Sequence, residues 1–306
     1  MKKSKPQQRS PVLDESFAGQ LDPPRRVVES QTVGGGCISP AWQVLVERSD
    51  NGERERLFVK RNSMAMAENF RCEASGLTAL AQTGTIRVPS PLATLVHGSH
   101  AYLVLPWIET SKRRNGFFEE FGRRLAQLHR ATSGDQIGWH EDNFLGSAPQ
   151  KNAAMQNWPH FVAEQRIGFQ VRWAVDQGLA DRRLQADCER IMSAMPEILD
   201  GRQQGTSLLH GDLWSGNYLC DDSGQPVLID PAVSRGCREA EWGMIRLFGA
   251  CPVEFEQAYQ ETWPMNDGWQ RRSSVYVLYH LLNHLNLFGS GYLGQCRSLA
   301  AEIVSQ

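Results

Sequence analysis

The chain has 306 residues, 41% of them hydrophobic, and a formal net charge of −2 at pH 7, with 32 Lys and Arg set among 34 Asp and Glu. That length and apolar content supply ample core for one large bilobal domain or two smaller ones and exclude a chain disordered throughout. The near-neutral, interspersed charge lacks the footprint of a nucleic-acid binder, and no run approaches the roughly 18 apolar residues of a membrane span.

The first residues, Met1 to Pro11, carry Lys2, Lys3, Lys5 and Arg9 with no acid and no apolar stretch behind them. This is the composition of a solvated tail and not of a signal peptide, so residues 1–25 are expected as a disordered or irregular leader and the protein as cytoplasmic, without a membrane partner. From Arg26 to about Leu105 come four β-type runs: Val27 to Ser30, Trp42 to Val46, Arg56 to Lys60 and Ala101 to Leu105. Each alternates or is β-rich and ends in turn residues. One helix interrupts them, over about Ala65 to Gln82, with Phe70, Ala74, Leu77 and Leu80 as its apolar stripe.

Between the first two runs, Gly34, Gly35 and Gly36 precede Cys37, Ile38 and Ser39. Glycines let a loop fold close over phosphates and offer N–H groups to them, although the same residues suit a flexible hairpin turn. Cys37 there would be an exposed thiol. The run through Leu103, Val104, Leu105, Pro106, Trp107 and Ile108 closes the first lobe and should form the hinge that contacts adenine, with Leu105 and Trp107 as the candidate residues; Trp107 suits a core aromatic equally well.

After Pro106 the pattern turns helical. Phe118, Phe121, Leu125 and Leu128 stripe a helix over Phe117 to Arg130, and further helices are predicted at about 158–177, 181–199, 239–248, 253–262, 269–288 and 292–304. Domain bounds of 26–108 and 109–306 follow. His129 reads as structural, or as a partner of its helix dipole. The seven cysteines are scattered, odd in number and form no CxxC pair, so most are expected reduced and buried, with neither a disulfide framework nor a zinc site.

Within the helical half, two short strands at Tyr218 to Cys220 and Val227 to Ile229 flank a turn at Asp221, Asp222, Ser223 and Gly224. They carry the chemistry. Asp212 is followed five residues later by Asn217, and Asp230 ends the second strand, matching the kinase division of labour between a base and two magnesium ligands. Magnesium is a hard cation that takes oxygen donors, which an amide and a carboxylate provide. Lys60 ends an apolar strand thirteen residues before Glu73, the order of the Lys–Glu pair that positions α- and β-phosphates. His210 is expected to brace the loop by hydrogen bonding. Trp214 is expected as a flat apolar wall for a sugar ring, with packing as the competing role.

The stretch His210-Gly211-Asp212-Leu213-Trp214-Ser215-Gly216-Asn217 resembles the signature of the fructosamine and ketosamine kinases, which belong with the aminoglycoside phosphotransferase and choline kinase group. The resemblance extends through Gly34 to Ser39, Phe58 to Lys60, Phe70 to Leu77, Leu125 to His129, Asn157-Trp158, Ile229 to Val233, Arg238 to Glu241 and Tyr279 to Asn286, nearly everything after Arg26. Trp214 and Pro231 are the discriminating details, since the wider group shares only the His-Gly-Asp, Asn and Asp skeleton.

The resemblance implies an α+β, bilobal protein-kinase-like fold, with a small β-rich N-terminal lobe and a larger, mainly helical C-terminal lobe. It implies ATP and Mg2+ as cofactors, and as substrate a small sugar-amine or a glycated amino acid or protein, phosphorylated on the 3-hydroxyl in deglycation or Amadori-product metabolism. It also points to His284, with Trp214, on the substrate side. Three features depart from the pattern: the polar leader, Gly243-Met244, and Ser234-Arg235 after the second Asp, where substrate identity would be affected. The rival functions are a kinase for an aminoglycoside or choline-like alcohol, and a silent pseudokinase-like binding protein. Retention of Lys60, Glu73, Asp212, Asn217 and Asp230 together speaks against the latter. A monomer is expected, or a homodimer that forms through oxidation of Cys37.

Overall fold

The computed structural model describes residues 12–34 and 39–305, so that Gly35, Gly36 and Cys37 of the glycine loop and the basic tail lie outside the described residues. The chain forms two compact units. One runs to Ala74 and takes in Pro89–Ile108; the other takes in Ser75–Val88 and the chain from Glu109 on.

The first unit is built on a five-stranded antiparallel sheet, β1 (Arg25–Val33), β2 (Ala41–Arg48), β3 (Arg54–Ser63), β4 (Ala93–His97) and β5 (His100–Pro106), in the order β1-β2-β3-β5-β4. Alternation along β3 sends Leu57 and Val59 to one face, where Trp42, Val44, Val46, Tyr102 and Val104 join them in a buried core. The cover of that face is a surprise: a 3-10 helix at Glu15–Gln20, capped by Asp14, lays Phe17 flat on Tyr102 at 5.0 Å, with Leu13 and Leu21 beside it. The irregular leader expected to residue 25 is thus corrected for 12–25, where the apolar residues spaced by four find a sheet face to bury. Val28 is the extra residue of a bulge between Val27 and Glu29 in the β1–β2 pairing. Helix α1 (Ala67–Ala81) follows β3, and the division between units falls within it.

The second unit is mainly helical: α2 (Phe117–Ala131), α3 (Trp158–Phe161), a π-helical stretch Val162–Gly168 leading into α4 (Phe169–Asp176), α5 (Arg182–Ser193), α6 (Met195–Ile198), α7 (Trp242–Phe248), α8 (Val253–Thr262), α9 (Trp269–Phe288) and α10 (Leu293–Ser305). Three small two-stranded pairs are set among them, β6 (Asn143–Leu145) with β7 (Ala148–Gln150), β8 (Ser207–Leu209) with β11 (Ser234–Gly236), and β9 (Tyr218–Cys220) with β10 (Pro226–Leu228). Helix α9 runs through the core and is buried on nearly every side, down to its polar residues. Gly243, a departure from the family pattern, has a packing reason: a Cβ there would come within 2.9 Å of the Tyr276 backbone where α7 crosses α9. No helix of the described residues is long and apolar enough to cross a membrane.

Candidate active site

In the first unit, Lys60 follows Val59 on β3 and so points to the opposite sheet face. There its Nζ donates to Glu73 Oε1 of α1 at 2.8 Å, both side chains being mostly buried. The pair is a fixed cation on a rigid strand. The glycine loop is bracketed by the last pair of the β1–β2 hairpin, Val33 with Ala41, and on its far side Asn62 donates to Ser39 Oγ at 3.0 Å. Gly34 has open space around its Cβ position.

The hinge expectation needs adjustment. The N–H of Trp107 donates to the Arg56 carbonyl at 3.0 Å, and by antiparallel alternation Leu105 opposite Phe58 is likewise turned into β3. Pro106, opposite Leu57, is the residue whose carbonyl faces away from that strand. The Trp107 ring packs near Phe58 at 6.4 Å, and Leu105 is buried.

The second unit gathers Asp212, Asn217 and Asp230 on two adjacent segments. Asn217 Nδ2 donates to the Asp212 carbonyl at 2.9 Å, to Asp212 Oδ2 at 3.0 Å and to the Asp230 carbonyl at 3.4 Å. The nitrogen being engaged, the amide oxygen is the donor atom left for a cation, and with the Asp230 carboxylate it makes a hard-oxygen set that suits magnesium. Asp230 holds φ at +55°, the one non-glycine residue with positive φ among the described residues, a conformation that persists only when its surroundings impose it. Between β9 and β10 the expected turn forms around Asp221, whose Oδ1 accepts from Ser223 and Gln225 while Oδ2 meets Arg87 at 2.6 Å.

Two braces hold these segments, and of their members only His210 is expected from the sequence to brace the loop. His210 is buried; its Nε2–H donates to the Ile229 carbonyl at 2.8 Å and its Nδ1 accepts from the Asp212 N–H at 3.3 Å, so one ring ties both segments together. Burial pushes its pKa down and keeps it neutral. Behind it, Glu241 accepts the N–H of His210 at 2.7 Å and of Gly211 at 2.9 Å, and lies 3.4 Å from His129, which meets the Tyr259 hydroxyl at 2.8 Å. Burial alone would raise the Glu241 carboxyl, but His129 and the backbone N–H groups outweigh it and hold it below the ordinary value. Gly211 admits no side chain: φ is +81°, and a Cβ would sit 2.2 Å from the Ala232 carbonyl.

The second brace meets the backbone through neutral amides. Asn143 Nδ2 donates to the Val233 carbonyl at 2.7 Å, and Gln150 Nε2 to that of Ala232 at 3.1 Å, just beyond Asp230. Asn152, Tyr279 and Arg166 complete the network, Arg166 from the π-helical stretch donating to Asn152 at 2.9 Å. The neighbouring Ser234-Arg235 belongs to β11, paired with β8 and tied by Arg235 to the Thr132 carbonyl at 2.9 Å, so these two residues lie in a paired strand and not in a loop.

Trp214 is half-buried. Its indole lies over Gly216, where a Cβ would come within 2.5 Å of the ring, and against Phe248 at 6.0 Å. Phe248 in turn meets His284 at 5.2 Å, so the two residues expected on the substrate side belong to one chain of rings. His284 Nδ1–H donates to the His280 carbonyl at 2.8 Å, which leaves Nε2 as an acceptor.

The family model described as "Fructosamine kinase" matches residues 12–306 of this chain. A probable ketoamine kinase of Synechocystis sp. is 39% identical over 299 residues, covering 96% of this chain and 97% of that protein. The chloroplastic protein-ribulosamine 3-kinase of Oryza sativa subsp. japonica is 36% identical over 277 residues, 90% of this chain and 78% of that protein. Among solved structures, a candidate fructosamine-3-kinase from Thermobifida fusca superposes with a TM-score of 0.82 at 29% identity, covering 96% of this chain and 99% of that one. An aminoglycoside phosphotransferase crystallised with AMP-PNP and hygromycin B shares the protein-kinase-like fold, with a TM-score of 0.64 at 13% identity and 95% and 98% coverage.

Proposed function

The chain belongs to the fructosamine kinase family, and from that premise we propose that it transfers the γ-phosphoryl group of ATP to the 3-hydroxyl of a ketosamine. The observation that carries the reading is the Asn217 amide, bonded through its nitrogen to Asp212 and Asp230 and presenting its oxygen.

Lys60, steadied by Glu73, brings positive charge to the α- and β-phosphates. Asn217 and Asp230 would hold magnesium, which when bound neutralises charge on the phosphate oxygens. Asp212 accepts the proton of the sugar hydroxyl as its oxygen forms the new bond to phosphorus and ADP departs. Trp214 and His284 stand on the acceptor side, an apolar face and a hydrogen-bond acceptor for a sugar-amine. No covalent bond to the enzyme forms, so acceleration comes from positioning and from electrostatics fixed before the reaction. Phosphorylation makes the adduct labile, which suits deglycation.

A coupled assay of ADP release on fructosamine and ribulosamine substrates, with mass spectrometry of the product, tests the reaction. Asp212→Asn should lower kcat by roughly 10²–10⁴-fold or more while ATP still stabilises the protein against heat. Wild-type turnover by that variant would remove Asp212 from its role.

A further inference from the structure

Two helices of the second unit each end on a phenylalanine followed by a glycine of positive φ. Helix α7 stops at Phe248, followed by Gly249 at φ +58°, and α9 stops at Phe288, followed by Gly289 at φ +88°. Glycine takes a positive φ without Cβ strain, Gly249 in the left-handed helical conformation and Gly289 with ψ at −170°, and each leaves the preceding side chain at the rim. Both phenylalanines are exposed, Phe248 at 45% and Phe288 at 57%, the two aromatic rings among the exposed large apolar side chains of the described residues.

They are not scattered. Trp214, two residues beyond Asp212, touches Phe248; Phe248 touches His284; and His284 touches Phe288 at 5.4 Å and Tyr292 at 5.2 Å. The turn at Gly289 leads into the short 3-10 helix Ser290–Tyr292, which brings Tyr292 back beside His284 and Phe288. A continuous run of rings therefore leads from the catalytic loop to solvent. Isolated exposed apolar residues need no explanation, whereas a connected aromatic surface joined to a reaction centre marks a place where part of a ligand lies.

A ketosamine has two ends, the sugar that is phosphorylated and the substituent on its amine. Resting on the ketosamine kinase reading, we infer that Phe248, Phe288 and Tyr292, with His284 between them, form the subsite for the amine substituent, and that it selects an apolar alkyl or aryl group over a methyl or an acidic one. Aromatic faces bury methylene and aryl surface and attract the ammonium of the amine, and they offer nothing to a carboxylate. Because the outer rings are open to solvent, the substituent can be long.

The test compares, within one enzyme, kcat/KM on fructosamines whose amine carries hexyl, benzyl, methyl or carboxymethyl. In the wild type the hexyl-to-methyl ratio should be roughly tenfold, the discrimination that buried methylenes provide. Phe288→Ala and Phe248→Ala should each bring it toward one, and Phe288→Leu should restore part of it. Val304→Ala, an equally apolar surface change on α10, should leave it alone. A wild-type ratio near one, a preference for carboxymethyl, or a ratio that both alanine variants preserve would overturn the inference while leaving the kinase reading intact. Failure to phosphorylate any of the four substrates would overturn the kinase reading and the inference with it. The ratio is internal to each variant, so a partial loss of folded protein does not move it.

Discussion

The segment carrying Asp212 and the segment that follows Asp230 run side by side, the Ala232 N–H donating to the His210 carbonyl at 2.9 Å, yet opposite chemistry fastens them to the elements behind, the first to the 3-10 helix Arg238–Glu241 and the second to the β6–β7 pair. The first turns N–H groups inward and is held by an acceptor, the Glu241 carboxylate. The second turns carbonyls inward and is held by donors, the amides of Asn143 and Gln150. Each brace is the one its backbone demands, because a buried N–H or C=O left without a partner costs about 1–3 kcal/mol. The charged brace makes the stronger bonds and can titrate; the amide brace does neither.

The comparison breaks most visibly at Glu241. Glu241→Gln keeps the shape but removes the charge and turns an NH2 toward a backbone donor, so it should cost about 3–6 kcal/mol of stability, two charge-assisted bonds from backbone N–H groups at about 1.5–3 kcal/mol each, and lower kcat more than it raises KM for ATP. Chemical denaturation and steady-state kinetics read both numbers, and a fall confined to stability would make Glu241 a packing residue alone. Gln150→Leu should cost less, about 1–3 kcal/mol, by stranding the Ala232 carbonyl and the Tyr279 hydroxyl. Its kinetic signature should be a raised magnesium requirement, since the displaced segment adjoins Asp230. An unchanged magnesium titration with lowered stability would separate the amide brace from the site.

Most of this support was not legible in the chain. Asp212, Asn217, Asp230, Lys60 and Glu73 stand out because the chemistry dictates both residue type and spacing. Glu241 sits in a quoted motif, yet nothing local says that its carboxylate reaches 30 residues back to the Gly211 N–H. Gln150 and Asn143 meet backbone 82 and 90 residues away, and polar side chains show no periodicity to announce it. The three-residue strands β6, β7, β8 and β11 are too short for alternation to register. The helix over the first sheet did leave a trace: Leu13, Phe17 and Leu21 recur every fourth residue, a helical period masked by the polar residues around it.

Acid tells the two braces apart with the smallest effect and the least ambiguity. Burial pushes His129 and His210 below the ordinary histidine value, although the Glu241 carboxylate pulls the other way, and burial with His284 nearby takes His280 down to about 3. Below pH 6.5 the unfolded chain binds protons that these native rings refuse, so stability is full above that pH and is lost as pH falls. For His280 the loss at pH 5.5 is about 1.4 kcal/mol, the value of one pKa unit. The depressed Glu241 carboxyl acts in the same direction at lower pH, its contribution being present above 4.5 and lost as pH falls through its folded value. His129→Gln removes one of these titrations and should flatten the decline in melting temperature between pH 6.5 and 5.5. Gln150→Leu, in a network whose members keep their charge state across that range, should lower the melting temperature by the same amount at every pH. A Gln150→Leu penalty that grows with acid would mean that the amide brace shares the titration of the Glu241 brace, and that the two supports are one.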